Sequence, residues 1–347
     1  MEHVARIGMD TSKHLFQLHG VDAEENVVLR RQVRRSQLMN FFQRLPSTVI
    51  GIEACGASHH WARMLKSLGH EVRLLPPQYV KPYVKRNKND SADAAAVCEA
   101  MSRPTMRFVP VKTRDNQAVL MLLGMRERLL RARTQLSNAI RGYAAEFGLT
   151  VGRGISRLEH LFERIAADSS LPALAHELFN LHAQEYRDLQ MRIAEVEDKL
   201  DDWRHENEKV RRLTKVPGIG PIGAALLVMK APDPEYFRSG RDFAAWIGLT
   251  PRDHSSGGKR RHGGISHAGD EALRSVLVAG ATNVIRYARL GRGQPSPWLT
   301  ALVKRKPPML AAVAWANKMA RIAWKLLVSG EAYAGSSAPP RLSAQAG

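Results

Sequence analysis

Residues 5–20 read ARIGMDTSKHLFQLHG, and this stretch sets the fold of the N-terminal part of the chain. Apolar residues lead to a single carboxylate, Asp10, which is followed by a short polar turn and a second strand-like run. The pattern is typical of a β-hairpin. An aspartate in such a place is usually a turn former. A chemical role for Asp10 therefore requires that other carboxylates of the chain meet it.

The segments that follow predict a mixed sheet with helices packed on it. The turn DAEEN leads into a third strand, VVLRRQV, and a helix is expected at residues 36–45. The later segments are TVIGIEA (strand), HHWARMLKSLG (helix), EVRLLPP (strand), DSADAAAVCEAMS (helix) and MRFVPV (last strand). Tight turns join antiparallel strands, and strand–helix–strand units join parallel ones. This order matches the ribonuclease H-like fold and makes the first and fourth strands neighbours, so we predict an α/β domain over residues 1–112.

The rest of the chain is predicted to be mainly helical. Residues 113–147 and 176–213 each have the pattern of one long helix, and together they suggest a coiled-coil hairpin within residues 113–213. This hairpin is either a spacer or an arm for dimerisation or nucleic-acid binding. Residues 214–330 predict a compact helical domain with glycine-rich turns, and residues 331–347 predict a disordered tail.

The charge of the chain points to a polyanionic partner. The 347 residues include 52 Lys and Arg against 33 Asp and Glu, a net charge of +19. Nucleic acid is the expected partner, although ribosomal, RNA-binding or membrane-surface proteins also have such a charge. No apolar run reaches the ~18 residues of a membrane span. With no export signal, two cysteines and no CxxC, the sequence predicts a reduced cytosolic protein without a structural zinc site.

Four acids form the candidate metal site: Asp10, Glu53, Asp90 and Asp93. Asp10 and Glu53 end the first and fourth strands, and Asp90 and Asp93 share one face of a helix. Four clustered carboxylates repel each other unless cations hold them, and Mg²⁺ prefers such oxygen ligands. Two ions of this kind suit phosphodiester chemistry. The alternatives are a turn role for Asp10, an N-cap role for Asp90 and a favourable first-turn charge for Asp93.

Two further stretches predict contacts with a phosphate backbone. YVKPYVKRNKND combines aromatic residues with the basic residues Lys81, Lys85, Arg86 and Lys88; the alternative is a solvated loop. VPGIGPIGA, residues 216–224, resembles a helix-hairpin-helix element in which the turn at Gly218 and Gly220 exposes backbone N–H groups. A purely structural turn is the rival interpretation.

The segment at residues 243–274 contains a candidate nucleophile. Ser255 and Ser256 precede two glycines and the basic run Lys259, Arg260 and Arg261. No obvious base adjoins either serine, although His254 and His262 are near, and an unactivated serine is a poor nucleophile. Chemistry alone therefore favours a phosphate-binding loop over a catalytic serine.

Taken together, IGMDTSK, IGIEACG, KNDSADA, VPGIGPIGA and GLTPRDHSSGGKRRHGGISHAGDEALR resemble the IS110-family, or DEDD, transposases over residues 4–330. The resemblance implies a RuvC-like domain whose metal ligands are the four acids. It also implies an essential serine that attacks DNA, either Ser255 or Ser256, with Ser256 preferred on motif shape. Many relatives have Thr before the first Asp of KNDSADA, where this chain has Asn89.

The function expected from the resemblance is transposition of a bacterial insertion sequence. The expected partners are donor and target DNA, a structured guide RNA and further copies of the chain, as a dimer or tetramer. No membrane partner is expected, and the protein is placed in the cytoplasm with the nucleoid. The alternatives are a Holliday-junction-type nuclease, in which water attacks, and a non-catalytic architectural nucleic-acid binder.

Overall fold

The computed structural model describes residues 4–85, 89–152, 154, 156–231, 233–255, 261–267, 269–292 and 295–334. The chain divides into two compact units, Met1–Asp115 and Asn116–Gly347. Most of the predicted tail, residues 335–347, lies outside the described residues. In the part that is described, Tyr333 packs against the core of the second unit.

The first unit contains a five-stranded mixed sheet. Its elements are β1 (Arg6–Asp10), β2 (Leu15–Val21), β3 (Val27–Arg34), α1 (Leu38–Gln43), β4 (Val49–Glu53), α2 (Ser58–Ser67), β5 (Glu71–Leu75), α3 (Pro77–Val80) and α4 (Asp90–Ala100). The strand order is β3-β2-β1-β4-β5. β1 is antiparallel to β2 and parallel to β4, and β4 is parallel to β5. The neighbouring first and fourth strands are confirmed.

The predicted last strand, MRFVPV, is wrong. Val109 forms a single isolated antiparallel bridge to Leu74, with a hydrogen bond of 2.7 Å from Val109 N to Leu74 O. The neighbouring Phe108 side chain packs beside β5, where Arg73 lies 5.2 Å from its ring centre. This segment therefore covers the edge of β5 without extending the sheet.

The two faces of the sheet bury different layers. Ile7 and Met9 of β1 and Ile50 and Ile52 of β4 share a core with α1 and α2. Because side chains alternate along a strand, the residues between them face the opposite side. There Gly8 contacts α4, as described below, and a separate small cluster joins α4 to Leu75 and Val80.

The second unit is mainly helical. Its elements are α5 (Arg114–Glu146, which begins in the last two residues of the first unit), α6 (Arg157–Ala167), α7 (Ala173–Glu206), α8 (Glu208–Leu213), α9 (Pro221–Lys230), α10 (Gly240–Ile247), β6 (Pro251–Asp253), β7 (His262–Ile265), α11 (Glu271–Arg289), α12 (Pro297–Arg305) and α13 (Pro308–Ser329). Residues from α5 to α13 contribute to one continuous apolar core. Across the residues that the structure describes, no helix is long and apolar enough to cross a membrane.

The helices α5 and α7 lie antiparallel. Arg126 donates to Glu197 (2.6 and 2.9 Å), and Arg133 donates to Gln190 (3.2 Å). The rings of Tyr143 and His182 stack at 5.8 Å near the other end of the pair. As the residue number along α5 increases, the residue number of its contact partner on α7 decreases. The two helices therefore run in opposite directions.

The prediction of one helix over residues 176–213 is wrong in two respects. The second long helix begins earlier, at Ala173, and it ends at Glu206. Asn207 has an extended backbone, and its side chain accepts a hydrogen bond of 3.1 Å from Val210 N, which caps α8. Asparagine is among the best N-caps, so a new helix starts here. A further helix that was not predicted, α6, lies between the two long helices in the chain, and its apolar face packs on α7 through Phe162 and Tyr186.

Candidate active site

Asp10 and Glu53 end neighbouring parallel strands. The last paired residues of β1 and β4 are Met9 and Ile52, so the next residue on each strand is an acid of the predicted site. Side chains alternate along a strand, so Asp10, two residues after Gly8, lies on the face of the sheet that α4 covers. Glu53 lies on the same face. Both side chains are half-buried. The sheet thus brings together two acids that are 43 residues apart in the sequence.

The loops that follow these two strands also touch. Thr11 Oγ1 and Cys55 Sγ lie 3.2 Å apart, at hydrogen-bond distance. Ser58 at the start of α2 holds the second loop, because its hydroxyl accepts from Cys55 N (3.1 Å) and donates to Cys55 O (2.9 Å). These contacts fix the backbone immediately beyond both acids.

Two glycines allow α4 to lie against the strands that carry Asp10 and Glu53. A Cβ at Gly8 would lie 2.2 Å from Ala94 O and 2.5 Å from Cys98 N, distances that no real side chain tolerates. A Cβ at Gly51, the strand partner of Gly8, would lie 2.6 Å from Met101 Sδ. The glycines in IGMD and IGIE therefore set the close spacing between α4 and the sheet.

The direction of α4 relates its two acids to the strand acids. Arg6 Nε donates to Cys98 O (3.2 Å), and Ala94 lies over Gly8, so α4 runs antiparallel to β1. Residues four apart form rows along a helix. The row that contains Cys98 and Ala94 continues to Asp90, beyond Gly8 in the direction of Asp10.

The neighbouring row of α4 lies over β4. Met101 and Val97 both approach Gly51, and the same row continues to Asp93 in the direction of Glu53. The structure therefore directs both helix acids to the edge of the sheet where the strand acids lie. Asp93 is half-buried and Asp90 is exposed.

The suggested N-cap role of Asp90 is wrong. Asn89 is the N-cap of α4, and its side chain accepts a hydrogen bond of 2.7 Å from Ala92 N. Asp90 and Asp93 are both in the first turn, where a negative charge is favourable. Asp90 is consequently not needed to cap the helix.

The donor set matches a hard divalent cation, because it consists of carboxylate oxygens alone. Among the residues that the structure describes, no three or more His, Cys, Asp and Glu side chains are arranged in a group that could hold a metal ion. The elements thus place the four acids at one edge of the sheet, and their side chains do not form a closed ligand set.

The predicted phosphate-binding run is only partly described, since Arg86 and Lys88 lie outside the described residues. Lys81 is exposed in a short 3-10 turn. Lys85 is also exposed, and its amine lies 3.8 Å from a Glu99 carboxylate oxygen. The two described lysines are therefore accessible, at the chain segment that leads to α4.

The glycine-rich turn joins α8 to α9 and packs against other helices. Gly218 has a φ of 93°, and a Cβ there would lie 3.0 Å from Met319 of α13. A Cβ at Gly280 of α11 would lie 1.9 Å from Gly218 O. Trp315 Nε1 also donates to Pro217 O, at 3.3 Å. These contacts give Gly218 a structural role in packing, whereas Gly220 is exposed at the start of α9.

The candidate serine region lies in the hairpin of β6 and β7. Asp253 Oδ1 accepts hydrogen bonds from the backbone N–H (2.9 Å) and the hydroxyl of Ser255. The backbone N–H of Arg261 donates to Ser255 Oγ at 3.1 Å. Ser256, Lys259 and Arg260 lie outside the described residues.

For Ser255, the interpretation that no base adjoins the hydroxyl is corrected by Asp253. The Asp253 carboxylate accepts a hydrogen bond from the hydroxyl of Ser255, which lies two residues later in the chain. The signal was present in the sequence PRDHSS, because Asp commonly bonds to groups two residues further on in a turn. The neighbouring histidines, His254 and His262, are the more familiar bases and drew attention away from Asp253.

Comparison with known proteins gives two family matches. A transposase family of the IS110 DEDD type matches residues 7–147, which include the four acids. The family described as Transposase IS116/IS110/IS902 matches residues 210–294, which include the glycine-rich turn and the serine hairpin.

Individual relatives match almost the whole chain. The putative transposase y4pF/y4sB of Sinorhizobium fredii is 61% identical over 334 residues, which are 96% of this chain and 86% of that protein. The transposase for insertion sequence element IS1328 of Yersinia enterocolitica is 38% identical over 333 residues, 96% of this chain and 99% of that protein. The transposase for IS1111A of Coxiella burnetii is 38% identical over 335 residues, 96% and 92% of the two chains.

Proposed function

Because the chain belongs to the IS110 family of transposases, we propose that Asp10, Glu53, Asp90 and Asp93 hold the divalent ions with which it cuts and rejoins DNA. DNA is the substrate of such an enzyme. The observation that carries the proposal is the geometry of α4, whose two helix rows extend from Gly8 and Gly51 to the ends of the strands that carry Asp10 and Glu53. Mg²⁺ is the proposed ion because all donors are carboxylate oxygens.

Each side chain has a defined part in the proposed reaction. Asp10 and Glu53 supply ligands from the rigid sheet, and Asp90 and Asp93 supply ligands from the first turn of α4. When bound, divalent ions increase the reactivity of the attacking oxygen and stabilise the charge on the leaving oxygen. Because no three of these side chains form a ligand group among the described residues, the proposal requires the acids to close around the ions and the substrate together.

The proposed nucleophile is a serine of the β6–β7 hairpin, Ser255 or Ser256. Its hydroxyl oxygen forms the new bond to phosphorus, the bond from phosphorus to the 3′ oxygen breaks, and the 3′ oxygen takes up a proton. The hydrogen bond from Ser255 to Asp253 supports this assignment, because the carboxylate can accept the hydroxyl proton. Attack by water, as in a Holliday-junction-type nuclease, is the alternative mechanism.

Nucleic-acid contacts are proposed for the basic residues that flank these sites, and the net charge of +19 supports them. Lys81 and Lys85 precede α4, and Arg261 follows the serines. The backbone at Gly220 is proposed to approach phosphate, while Gly218 serves mainly in packing. A structured guide RNA is the proposed source of sequence specificity, in the cytoplasm and at the nucleoid of a bacterium.

The helical arm of α5 and α7 is the proposed assembly surface, as a coiled-coil hairpin. Leu174, Leu178 and Leu181 occupy one face of α7 by their spacing. Their side chains are 65%, 49% and 61% exposed. Such an apolar stripe suits contact with another copy of the chain in a dimer or tetramer.

The metal-site proposal is tested by removing single charges without changing shape. We expect Asp10→Asn and Glu53→Gln to reduce Mg²⁺-dependent cleavage of donor DNA to background and to leave DNA binding nearly unchanged, because a metal ligand is lost and no DNA contact is removed. Glu71→Gln is the matched control, since Glu71 begins β5 at the opposite edge of the same sheet. Cleavage at the wild-type rate by Asp10→Asn would show that the acids are structural and favour an architectural binder.

The nucleophile is tested by trapping. A serine mechanism leaves protein attached to DNA on a denaturing gel, and Ser255→Ala and Ser256→Ala identify which hydroxyl forms the link. Cleavage without any attached protein would favour the water mechanism.

A further inference from the structure

A groove of about 660 Å³ lies at one end of the sheet in the first unit. Its lining includes His14, Leu15, Arg34, Arg35, His60 and Trp61, and we call it the basic groove. None of these residues belongs to the acid site or to the serine hairpin. The volume is in the range of small-molecule sites, so the groove is large enough for part of a nucleotide strand.

The basic groove lies at the end of the sheet where Asp10 and Glu53 terminate their strands. Leu15 begins β2 and is paired with Arg34, the last residue of β3. Arg35 N donates to His14 O at 2.8 Å, which joins the end of β3 to the turn that follows Asp10. β3 and β1 are two strand spacings apart, roughly 10 Å. The groove is on the α1–α2 side of this edge, whereas the acids face α4.

The basic groove has a positive electrostatic potential. The side chains of Arg34 and Arg35 are exposed, and in the described part of the chain neither forms an ion pair with an acid. Partial burial and the positive charges of Arg35, Arg63 and Arg114 lower the pKa of His60 below its ordinary value. An anion is therefore the favoured occupant.

Trp61 provides a second, independent indication of a ligand. It is 5% exposed, and its ring contacts Phe16 and His60 edge-on, each at 5.0 Å between ring centres. The Arg35 guanidinium lies 4.9 Å from the Trp61 ring centre. Its indole Nε1 is buried and has no acceptor among the described residues, so it reaches a ligand only when the side chains that cover it move aside. A buried donor without an acceptor is costly and rare in native proteins.

We propose that the basic groove binds the DNA strand that flanks the phosphodiester at the carboxylates, with Arg34 and Arg35 on its phosphates and Trp61 as a donor to it. This inference rests on the proposed function, because the acids at the same edge identify the occupant as the DNA that is cut. The strand passes over the turn at Thr11–His14 between the groove and the acids.

The test measures binding of a fluorescently labelled single-stranded DNA oligonucleotide to the full chain by anisotropy at several salt concentrations. Each Arg→Gln change in the groove removes one phosphate contact. We expect the double variant R34Q/R35Q to bind at least about tenfold more weakly. The slope of log K against log salt should fall by about 1.4, since each phosphate contact on a single strand contributes about 0.7.

Arg30→Gln is the matched control, because Arg30 is an exposed arginine of the same strand that is not part of the groove lining. A second variant, Trp61→Phe, keeps a ring against Phe16 and removes the Nε1 donor. We expect it to retain the melting temperature of the wild type and to bind the oligonucleotide about threefold more weakly. A purely structural tryptophan would not change DNA binding without changing stability.

Three results would overturn the inference. These are equal affinities of R34Q/R35Q and Arg30→Gln, wild-type DNA binding by Trp61→Phe, and a loss of affinity seen only with single-stranded RNA of the same sequence. The test is independent of cleavage, since Asp10→Asn reports on the acids and the anisotropy reports on the groove. Weak binding by the double variant together with normal cleavage by Asp10→Asn would refute the metal site and overturn the assignment of this strand as the one beside the cut, while the groove would still be a DNA contact.

Discussion

The acid edge of the first unit and the serine hairpin of the second are built in different ways. Asp10 and Glu53 are neighbours because distant strands pair in parallel, and the helix that carries Asp90 and Asp93 lies close to them because two strand residues are glycines. Asp253, Ser255 and Arg261, in contrast, are linked by hydrogen bonds within one hairpin. Packing changes should therefore disturb the acids, whereas the serine region should depend little on the core.

The largest effect is expected from Gly8→Ala. The added methyl group would overlap Ala94 O and Cys98 N of α4, so the helix must move away from the sheet. We expect the first unit to lose about 3 kcal/mol of unfolding free energy and cleavage to fall with it, as measured by denaturant titration. Gly56→Ala is the control, because nothing lies within 4 Å of its Cβ position. Equal stability of the two variants would contradict the close packing of α4.

A smaller effect is expected on stability at acidic pH, where the first unit should lose stability through His59. Burial and the charges of Lys112 and Arg63 lower the pKa of His59 from 6.5 to about 4. Between these pH values the unfolded chain binds a proton at His59 and the folded chain does not. Stability is therefore complete above pH 6.5 and falls as the pH drops toward 4. The full shift corresponds to about 3 kcal/mol, and screening by solvent reduces the expected loss to about 2 kcal/mol.

The measurement is the melting temperature of the first unit from pH 7 to pH 4. His59→Gln should make this dependence weaker, and His160→Gln, at an exposed position of the second unit, should not change it. An unchanged pH profile in His59→Gln would assign the acid sensitivity to other groups.

A cap substitution tests how firmly α4 holds its two acids. Asn89→Ala removes the acceptor for Ala92 N, and we expect a loss of about 1 kcal/mol. Hydrogen exchange at the first turn of α4 should become faster. Asn89→Ser keeps a capping oxygen and should behave as the wild type. Equally slow exchange in the alanine variant would mean that packing alone fixes the first turn.

The smallest effect is expected in the serine hairpin. Asp253→Ala removes exposed hydrogen bonds within the hairpin, and the stability of the second unit should change by no more than about 0.5 kcal/mol. Thermal unfolding monitored by circular dichroism measures this change. A loss well above 1 kcal/mol would show that the hairpin is part of the core, and the contrast with the acid edge would disappear.

The sequence predicted the parts of the fold that follow from local patterns, namely apolar strand runs and the turns between them. Short apolar and β-branched runs that end in an acid located β1 and β4, and tight turns and crossovers ordered the sheet correctly. The break at Asn207 was missed because the apolar spacing continues through it while a side-chain cap restarts the helix. MRFVPV has the composition of a strand, but a single bridge at Val109 is all that it forms.

The candidate site was predictable to a similar degree. The acids were located from strand ends and helix spacing, which are local in the sequence. Asp253 was missed because only the histidines were weighed as bases, although an Asp two residues before a serine commonly accepts a hydrogen bond from it in a turn. The basic groove was missed because its lining residues, at the end of β3 and in α2, are distant in the sequence. They meet only when α2 packs on one particular face of the sheet.

The exposed position of Cys55 in the loop after β4 has a practical consequence. The chain has two cysteines. Cys98 is buried, and burial raises the pKa of its thiol, whereas Cys55 is exposed, two residues after Glu53. A maleimide dye should therefore react at Cys55 alone, so the unaltered chain already carries an attachment point from which fluorescence can follow the arrival of metal and DNA in real time.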